Sequence, residues 1–407
     1  MITMAIVEDC LPVTPTHSFV ESVHSNEPVA GYTHSFYRYP ARFSPIFARA
    51  AIKAFTQPGD LVFDAFMGGG TSLVEARTLG RVAVGTDINR LSVFISKAKT
   101  TVYSKNELMQ IHLWAKNLIN RIKLRNPPIR ATDWAEKGYQ RNISGKLTWP
   151  IRKTLELALV QVAELPRKRQ QIFARCALLR TAQWALDCRK DIPPAQQFRQ
   201  QLLNYTDEMI KGALEYGKAV RESDRLNNLI GSMRVLCLQR SVAGIENDAR
   251  LRGFPAPTLI LTSPPYPGVH VLYHRWQVQG RRETPAPFWV ANCLDGNGAS
   301  FYTFGHREQK DLKGYYERAF AAFSSLAKIA DQRTLLVQLV GFSDPSWQLP
   351  RFLSVLNLAG FTEVHFPDFT NSSDGRLWRC IPNRKWYADQ RGDIPPSKEV
   401  VLFHRLS

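Results

Sequence analysis

Leu61-Val62-Phe63-Asp64-Ala65-Phe66-Met67-Gly68-Gly69-Gly70-Thr71 is the stretch that decides the fold. Three apolar residues make a short buried strand, and three glycines follow almost at once. Residues 71–79 have helical spacing and stop at Gly80, which suits a C-cap. Val82-Ala83-Val84-Gly85 forms a second strand that ends at Asp87. Strand, glycine loop, helix and strand in this order open a doubly wound α/β sheet. Glycines serve where backbone must approach a ligand closely or adopt positive φ. An acid at the tip of the second strand can accept hydrogen bonds from two ribose hydroxyls. Loop and acid together predict a nucleoside-containing cofactor. The chain has no G-x-x-x-x-G-K-S/T, which argues against a P-loop nucleotidase.

Working outward, residues 44–55 repeat apolar positions at helical spacing, and Pro58-Gly59-Asp60 is a turn. Residues 1–33 form a polar, proline-containing lead-in. Between 101 and 241 the pattern changes to long helical stretches, at 151–165, 170–186 and 198–220. Pro127, Pro128, Pro150, Pro166, Pro193 and Pro194 punctuate them. Leu259-Ile260-Leu261 resumes a buried strand. Residues 334–340 and 349–358 continue strand and helix, and 364–366 with 399–404 can close an antiparallel hairpin. The expected architecture is an α/β domain with a doubly wound, mostly parallel sheet, from residues 34–100 and 242–407. A large helical insertion, 101–241, interrupts it.

Of the 407 residues, 44% are hydrophobic and 22% charged, an ordinary globular profile that excludes a wholly disordered chain. The charge is the unusual quantity: 53 Lys and Arg against 35 Asp and Glu, or +18. Such a balance favours a polyanionic partner. No apolar stretch approaches the ~20 residues that span a bilayer. Glu8 and Asp9 are foreign to a secretory signal. No basic amphipathic helix or lipidation signal supports a membrane surface, so nucleic acid leads. Six cysteines without a C-x-x-C pair read as reduced thiols, with neither a disulfide frame nor a metal site, and place the protein in the cytoplasm.

Thr262-Ser263-Pro264-Pro265-Tyr266 stands at the end of the resumed strand. Two prolines make a stiff extended loop and leave carbonyls free of competing N–H groups. A hydroxyl, a carbonyl and an aromatic ring suit a planar base bearing an exocyclic amino group. Such a base reaches the site only by leaving the duplex stack.

With both motifs in hand, a resemblance follows. Residues 64–71 resemble the D-P-F-x-G-x-G-T cofactor motif of amino-group site-specific DNA methyltransferases. Thr262 to Tyr266 is similar to the T-S-P-P-Y catalytic motif of their N4-cytosine branch. Residues 34–43 resemble the family's tenth motif, and Asn247-Asp248-Ala249-Arg250 its adenine-facing acidic segment. Ala65 and Gly69 depart mildly from the usual proline and serine. The resemblance implies a Rossmann-like fold that binds S-adenosyl-L-methionine through Tyr39, Pro40, Ala41, Phe43, Asp64, Phe66, Gly68, Gly70, Thr71, Asp87 and Asp248. It implies catalysis by Ser263, Pro264, Pro265 and Tyr266, with no metal. The implied substrate is double-stranded DNA, with cytosine N4 as target and adenine N6 or an RNA base as alternatives. A restriction-modification or defence setting would add a cognate restriction enzyme or defence components, and DNA binding would hold the protein at the nucleoid. A nucleic-acid-binding regulator without catalysis is the rival of another class. The chain contains no Pro-Cys, the setting of carbon-5 cytosine methylation.

Residues 101–250 hold 26 Lys and Arg against 14 Asp and Glu, a balance of +12, whereas 1–100 give +1 and 251–407 give +5. The insertion is therefore the first candidate for holding DNA, with Arg167-Lys168-Arg169 and Arg189-Lys190 as phosphate contacts. A second candidate is the span 270–306, where His270, Tyr273, His274, Arg275, Trp276, Arg281, Arg282 and Trp289 interleave bases with aromatics. Asn383-Arg384-Lys385-Trp386-Tyr387 is a third.

Overall fold

The strands that carry the two motifs lie side by side at the centre of one sheet. A computed structural model describes residues 16–39, 44–125, 133–227, 235–268, 275–280, 282–296, 299–305, 311–380 and 398–407. In chain order come α1 (Thr16–His24), α2 (Pro45–Phe55), β1 (Leu61–Asp64), α3 (Thr71–Thr78), β2 (Val82–Asp87) and α4 (Arg90–Thr100). Five helices follow: α5 (Lys105–Arg121), α6 (Asp133–Glu136), α7 (Trp149–Val162), α8 (Lys168–Leu186) and α9 (Ala195–Leu226). Next are β3 (Val235–Gln239), β4 (Leu259–Thr262), β5 (Trp276–Val278), β6 (Arg282–Thr284), α10 (Ala286–Ala291) and α11 (Ala299–Tyr302). The chain closes with α12 (Lys313–Ile329), β7 (Leu335–Gly341), α13 (Pro345–Leu358), β8 (Phe361–Glu363), β9 (Leu377–Cys380) and β10 (Lys398–Leu406).

The main sheet has the order β3-β2-β1-β4-β7-β10-β8, with β9 also on β10. The first five strands are parallel, and β10 runs antiparallel to β7, β8 and β9. This is the doubly wound, Rossmann-like sheet. The apolar runs of β1 and β4 are buried end to end because helices cover both faces. Val62, Leu259 and Leu261 face the core under α1 and α2; Leu61, Phe63 and Ile260 face the core under α12 and α13. The carboxyl ends of β1, β2, β3, β4 and β7 share one edge. Chain direction across the sheet reverses between β1 and β4, where a ligand crevice forms in such folds.

Three local expectations are corrected. The sheet resumes at Val235, ahead of residue 242, because β3 pairs with β2 from Ala83↔Val235 to Asp87↔Gln239. Short, only partly buried and at the sheet edge, β3 gives little periodic signal. The lead-in is not loose over 16–24: α1 drops Phe19 among Phe47, Phe55, Phe369 and Phe403, at ring distances of 5.0–6.0 Å. The third concerns the 270–306 span. Trp276 and Trp289 are 1% and 4% exposed, inside a second core formed with α4, α5 and α7 to α10. Trp276 Nε1 donates to Tyr37 Oη at 3.1 Å, and Arg275 Nη2 pairs with Asp295 at 2.8 Å. The two tryptophans are core and Arg275 is held by an acid, whereas Arg282 on β6 is exposed. His270, Tyr273, His274, Arg281 and residues 383–387 lie outside the described residues.

Of the basic run at 167–169, Arg167 and Arg169 both reach Glu107, at 3.3 and 2.5 Å, and tie α8 to the capping box of α5. Among the described residues, no cluster of His, Cys, Asp or Glu could hold a metal, and no helix is long and apolar enough to cross a membrane.

Candidate active site

A cavity of about 450 Å³ opens at the carboxyl edge of the sheet, a size typical of small-molecule sites. Tyr39, Phe66, Gly68 and Asp87 line it, and so do all four of Ser263, Pro264, Pro265 and Tyr266. The two motifs, nearly 200 residues apart in sequence, thus share one space.

Asp64 is the reason they meet. It is 1% exposed and accepts from Ser72 Oγ on α3, from Phe66 N at 3.1 Å and from Thr262 Oγ1 at 2.9 Å. Thr262 Oγ1 in turn accepts from Phe66 N at 3.2 Å. One buried carboxylate therefore ties the glycine loop to the start of the Ser-Pro-Pro-Tyr loop. Burial pushes its carboxyl up to about 6, against the lowering effect of these bonds. Asp64 does not line the cavity; it positions both loops.

Gly70 closes the loop with φ +70°, and a Cβ there would fall 2.6 Å from Ser96 Oγ. Only glycine fits. Gly70 and Thr71 lie behind the cavity wall, and Thr71 Oγ1 is buried with no hydrogen-bond partner among the described residues. Asp87 holds the loop from the other side. Its Oδ2 accepts from Gly68 N at 3.0 Å and its Oδ1 from Asn89 N at 2.7 Å. Burial pushes the Asp87 carboxyl up to about 6, and each oxygen keeps a lone pair for a further donor. Tyr39 leans against Gly68 and Gly69 and is held by Ser92 Oγ at 2.6 Å. Pro40, Ala41 and Phe43 lie outside the described residues.

Asp248 is not brought to the cavity. Arg250 and Arg240 grip its carboxylate at 2.7 and 2.9 Å and hold it far below the usual carboxylate range. What lines the cavity at the end of β3 is Arg240, Ser241, Val242 and Ala243. Asp248 acts there at one remove, by fixing Arg240.

The sequence reading also missed part of the aromatic wall. Phe304 stands edge-on to Phe66 at 5.4 Å, and Phe301, Tyr302 and Thr303 line the cavity beside it. Arg318 comes from α12. The run Phe301-Tyr302-Thr303-Phe304 is visible in the sequence, but nothing local says that it faces a ligand.

Ser263 donates its one hydrogen within the protein. Leu339 O lies 2.9 Å from Ser263 Oγ and Tyr266 Oη lies 3.3 Å away. The oxygen is left as an acceptor toward the cavity. The Pro265 carbonyl is taken by Tyr315 Oη at 2.7 Å, whereas no donor among the described residues reaches the Pro264 carbonyl. The Tyr266 ring lies on Gly341, where a Cβ would come within 2.9 Å of it. Burial and the Glu399 carboxylate hold its phenol well above the ordinary value. Acceptor, acceptor and ring form a receptor for a flat group that donates hydrogens.

Residues 14–97 match the family model described as DNA methylase, N6_N4_Mtase. Over that segment the chain is similar to the amino-group DNA methyltransferases. It is 43% identical over 79 residues to the type II methyltransferase M.MvaI of Kocuria varians. It is 29% identical over 92 residues to the type II methyltransferase M.MjaII of Methanocaldococcus jannaschii. These matches cover 19% and 23% of this chain and 17% of each relative. Among solved structures, TrmN from Thermus thermophilus aligns over 89% of this chain and 49% of its own, at 12% identity and TM-score 0.29. The rRNA methyltransferase aviRa from Streptomyces viridochromogenes aligns over 91% of this chain and 89% of its own, at 10% identity and TM-score 0.28. The cofactor of the methyltransferase family is S-adenosylmethionine. The residues present fit it: an acid at the tip of β2 and aromatic faces at Phe66 and Phe304 line the cavity.

Proposed function

We propose that the protein methylates the exocyclic amino group of a base extruded from double-stranded DNA, with cytosine N4 as the target. The observation that carries this reading is the shared cavity, in which the glycine loop and Asp87 meet an acceptor-only Ser263 and Tyr266. S-adenosylmethionine, when bound, would supply an activated methyl group: its S–C bond breaks as the N–C bond forms, the thioether product leaves, and the amino nitrogen gives up one proton to solvent. Asp87 would accept from the cofactor's ribose hydroxyls, and Phe66 and Phe304 would flank its base. Ser263 Oγ and the Pro264 carbonyl accept the two amino hydrogens of the target. That pulls the nitrogen lone pair out of ring conjugation and stabilises the developing tetrahedral centre by fixed dipoles. Tyr266 holds the ring by stacking, worth roughly 1–3 kcal/mol. Holding nitrogen and methyl in line supplies much of the remaining rate. The likeness of Thr262 to Tyr266 to the N4-cytosine motif favours cytosine over adenine.

DNA is held, on this reading, by the basic helical insertion. Its α8 end supports that role. Gln183 bonds the backbone of Arg38 at 3.2 and 3.0 Å, one residue before the cavity-lining Tyr39. Close by, Arg189 stacks on Trp184 at 5.1 Å and Arg180 on Tyr205 at 4.0 Å, a basic and aromatic face suited to backbone and bases. The matched relatives are named type II methyltransferases, which favours a restriction-modification setting with a cognate restriction enzyme.

The test is transfer of tritiated methyl from S-adenosylmethionine to unmodified duplex DNA and, separately, to RNA. Label on deoxycytidine is expected. Label on adenine or on RNA overturns the substrate, and cofactor binding with no transfer to any DNA overturns the enzyme in favour of a binding protein.

A further inference from the structure

A hydrogen-bond chain leaves the cavity at Tyr266 and ends on the far strands of the sheet. Tyr266 Oη donates to Glu399 Oε1 at 2.7 Å. Glu399 stands on β10 with its side chain 3% exposed, and its Oε2 accepts from Arg379 Nε at 2.8 Å and Nη2 at 2.5 Å. Glu399 registers with Arg379 on β9 and with Gly341 on β7, the residue beneath the Tyr266 ring. The acid therefore sits where two strand pairings and the catalytic loop converge.

A carboxylate accepts and cannot donate. Beside Glu399, Tyr266 must spend its hydrogen on the acid, and its oxygen is then an acceptor for Ser263. With no donor arriving from Tyr266, Ser263 gives its hydrogen to Leu339 O or to Tyr266 Oη and keeps its lone pairs for the cavity. Were Glu399 unable to accept, the Tyr266 hydrogen could turn onto Ser263 Oγ and occupy the lone pair meant for the substrate.

We infer that Glu399, held by Arg379, is a positioning residue for methyl transfer: through Tyr266 it fixes the Ser263 hydroxyl as an acceptor and so selects a base edge that carries hydrogens over one that carries a carbonyl. This rests on the amino-methyltransferase reading and adds to it a residue about 130 positions beyond the motif.

The full chain is purified as wild type, Glu399→Gln, Tyr266→Phe and the double variant. Single-substrate kinetics use tritiated S-adenosylmethionine and amplified, unmodified duplex DNA, with cofactor affinity measured by calorimetry. E399Q keeps the side-chain shape, but with its carbonyl claimed by Arg379 it turns an amide N–H2, a donor, toward Tyr266. Its kcat should fall roughly 10- to 100-fold, the order expected for misplacing a reacting group. Cofactor affinity should stay within about twofold, because the lost contact serves only the target. The double variant should be no worse than the poorer single, since both break one chain. A merely structural role would instead weaken cofactor binding and kcat together and add to the loss from Y266F. E399Q with wild-type kcat, or fully additive losses, overturns the inference. Should E399Q fail to fold, Arg379→Gln carries the test: it releases Glu399 from its clamp and leaves Tyr266 and the cofactor loop in place, and wild-type kcat there overturns the inference too. A wild-type protein that labels no DNA overturns the underlying reading, whereas an active wild type matched by E399Q overturns this inference alone.

Discussion

Part of the cavity lining, Phe66, Gly68, Asp87 and Asn89, comes from one continuous unit of β1, glycine loop, α3 and β2. Another part, Phe301, Tyr302, Phe304 and Arg318, comes from α11, α12 and the loop between them. In the first part each residue type is dictated where it stands. Gly70 is glycine because φ is positive and Ser96 is in the way, and Asp87 is acidic because its strand ends at two backbone N–H groups. In the second part residue type says little. Trp276 and Trp289 have the look of a nucleic-acid surface and are core; Phe304, further along the chain, is an ordinary core residue by type and lines the site. A turn that must take one backbone shape betrays itself locally, whereas an aromatic side chain reveals its role only through what packs against it.

Four substitutions can break or sharpen this contrast. The largest effect belongs to Trp276→Ala. As a core residue bonded to Tyr37 it should cost about 3–5 kcal/mol of unfolding free energy in denaturant melts. Unchanged stability with lost DNA binding would return it to the surface. Gly70→Ala comes next: an added Cβ 2.6 Å from Ser96 Oγ at positive φ should lower cofactor affinity by about 3 kcal/mol, read by calorimetry. Wild-type affinity there would mean that the loop does not touch the cofactor.

Asp87→Asn should cost about tenfold in cofactor affinity through weakened ribose hydrogen bonds. It also carries a pH signature. The Asp87 carboxyl is raised to about 6, so it is protonated in the folded protein at pH values where an ordinary aspartate is ionised. Ribose donors need the ionised form. Affinity should therefore hold above pH 6 and fall below it toward the affinity of D87N, a step that D87N itself should lack. A flat wild-type profile between pH 5 and 7 contradicts the assignment. The smallest effect is expected of Phe304→Leu, a few-fold loss of cofactor affinity from a thinner apolar wall, about 1 kcal/mol or less.

How much was legible follows the same division. The central strands, the glycine loop, Asp87 and the Ser263-to-Tyr266 loop were all visible, because each is a short local pattern under a strict backbone constraint. β3 was not, since a five-residue edge strand that is only partly buried has almost no periodic signature. Asp248 was assigned to the cofactor by likeness, but two arginines, one of them only two positions away, claim its carboxylate first. The β5 to α10 segment was misplaced because its tryptophans answer to a core supplied mainly by α5 and α7 to α9, far away in the chain. Asp64 was seen as a cofactor ligand and proves to be the tie between two loops, a role that needs both strands in register.

On the proposed function, the two motifs share a cavity in order to methylate an amino nitrogen in DNA. Nucleoside analysis and methylation mapping of DNA from a host that expresses the protein test it most directly. N4-methylcytosine is expected at one recurring sequence, absent from a host that expresses Ser263→Ala. Methyl groups on adenine alone, or host DNA indistinguishable from that of the S263A strain, would contradict it.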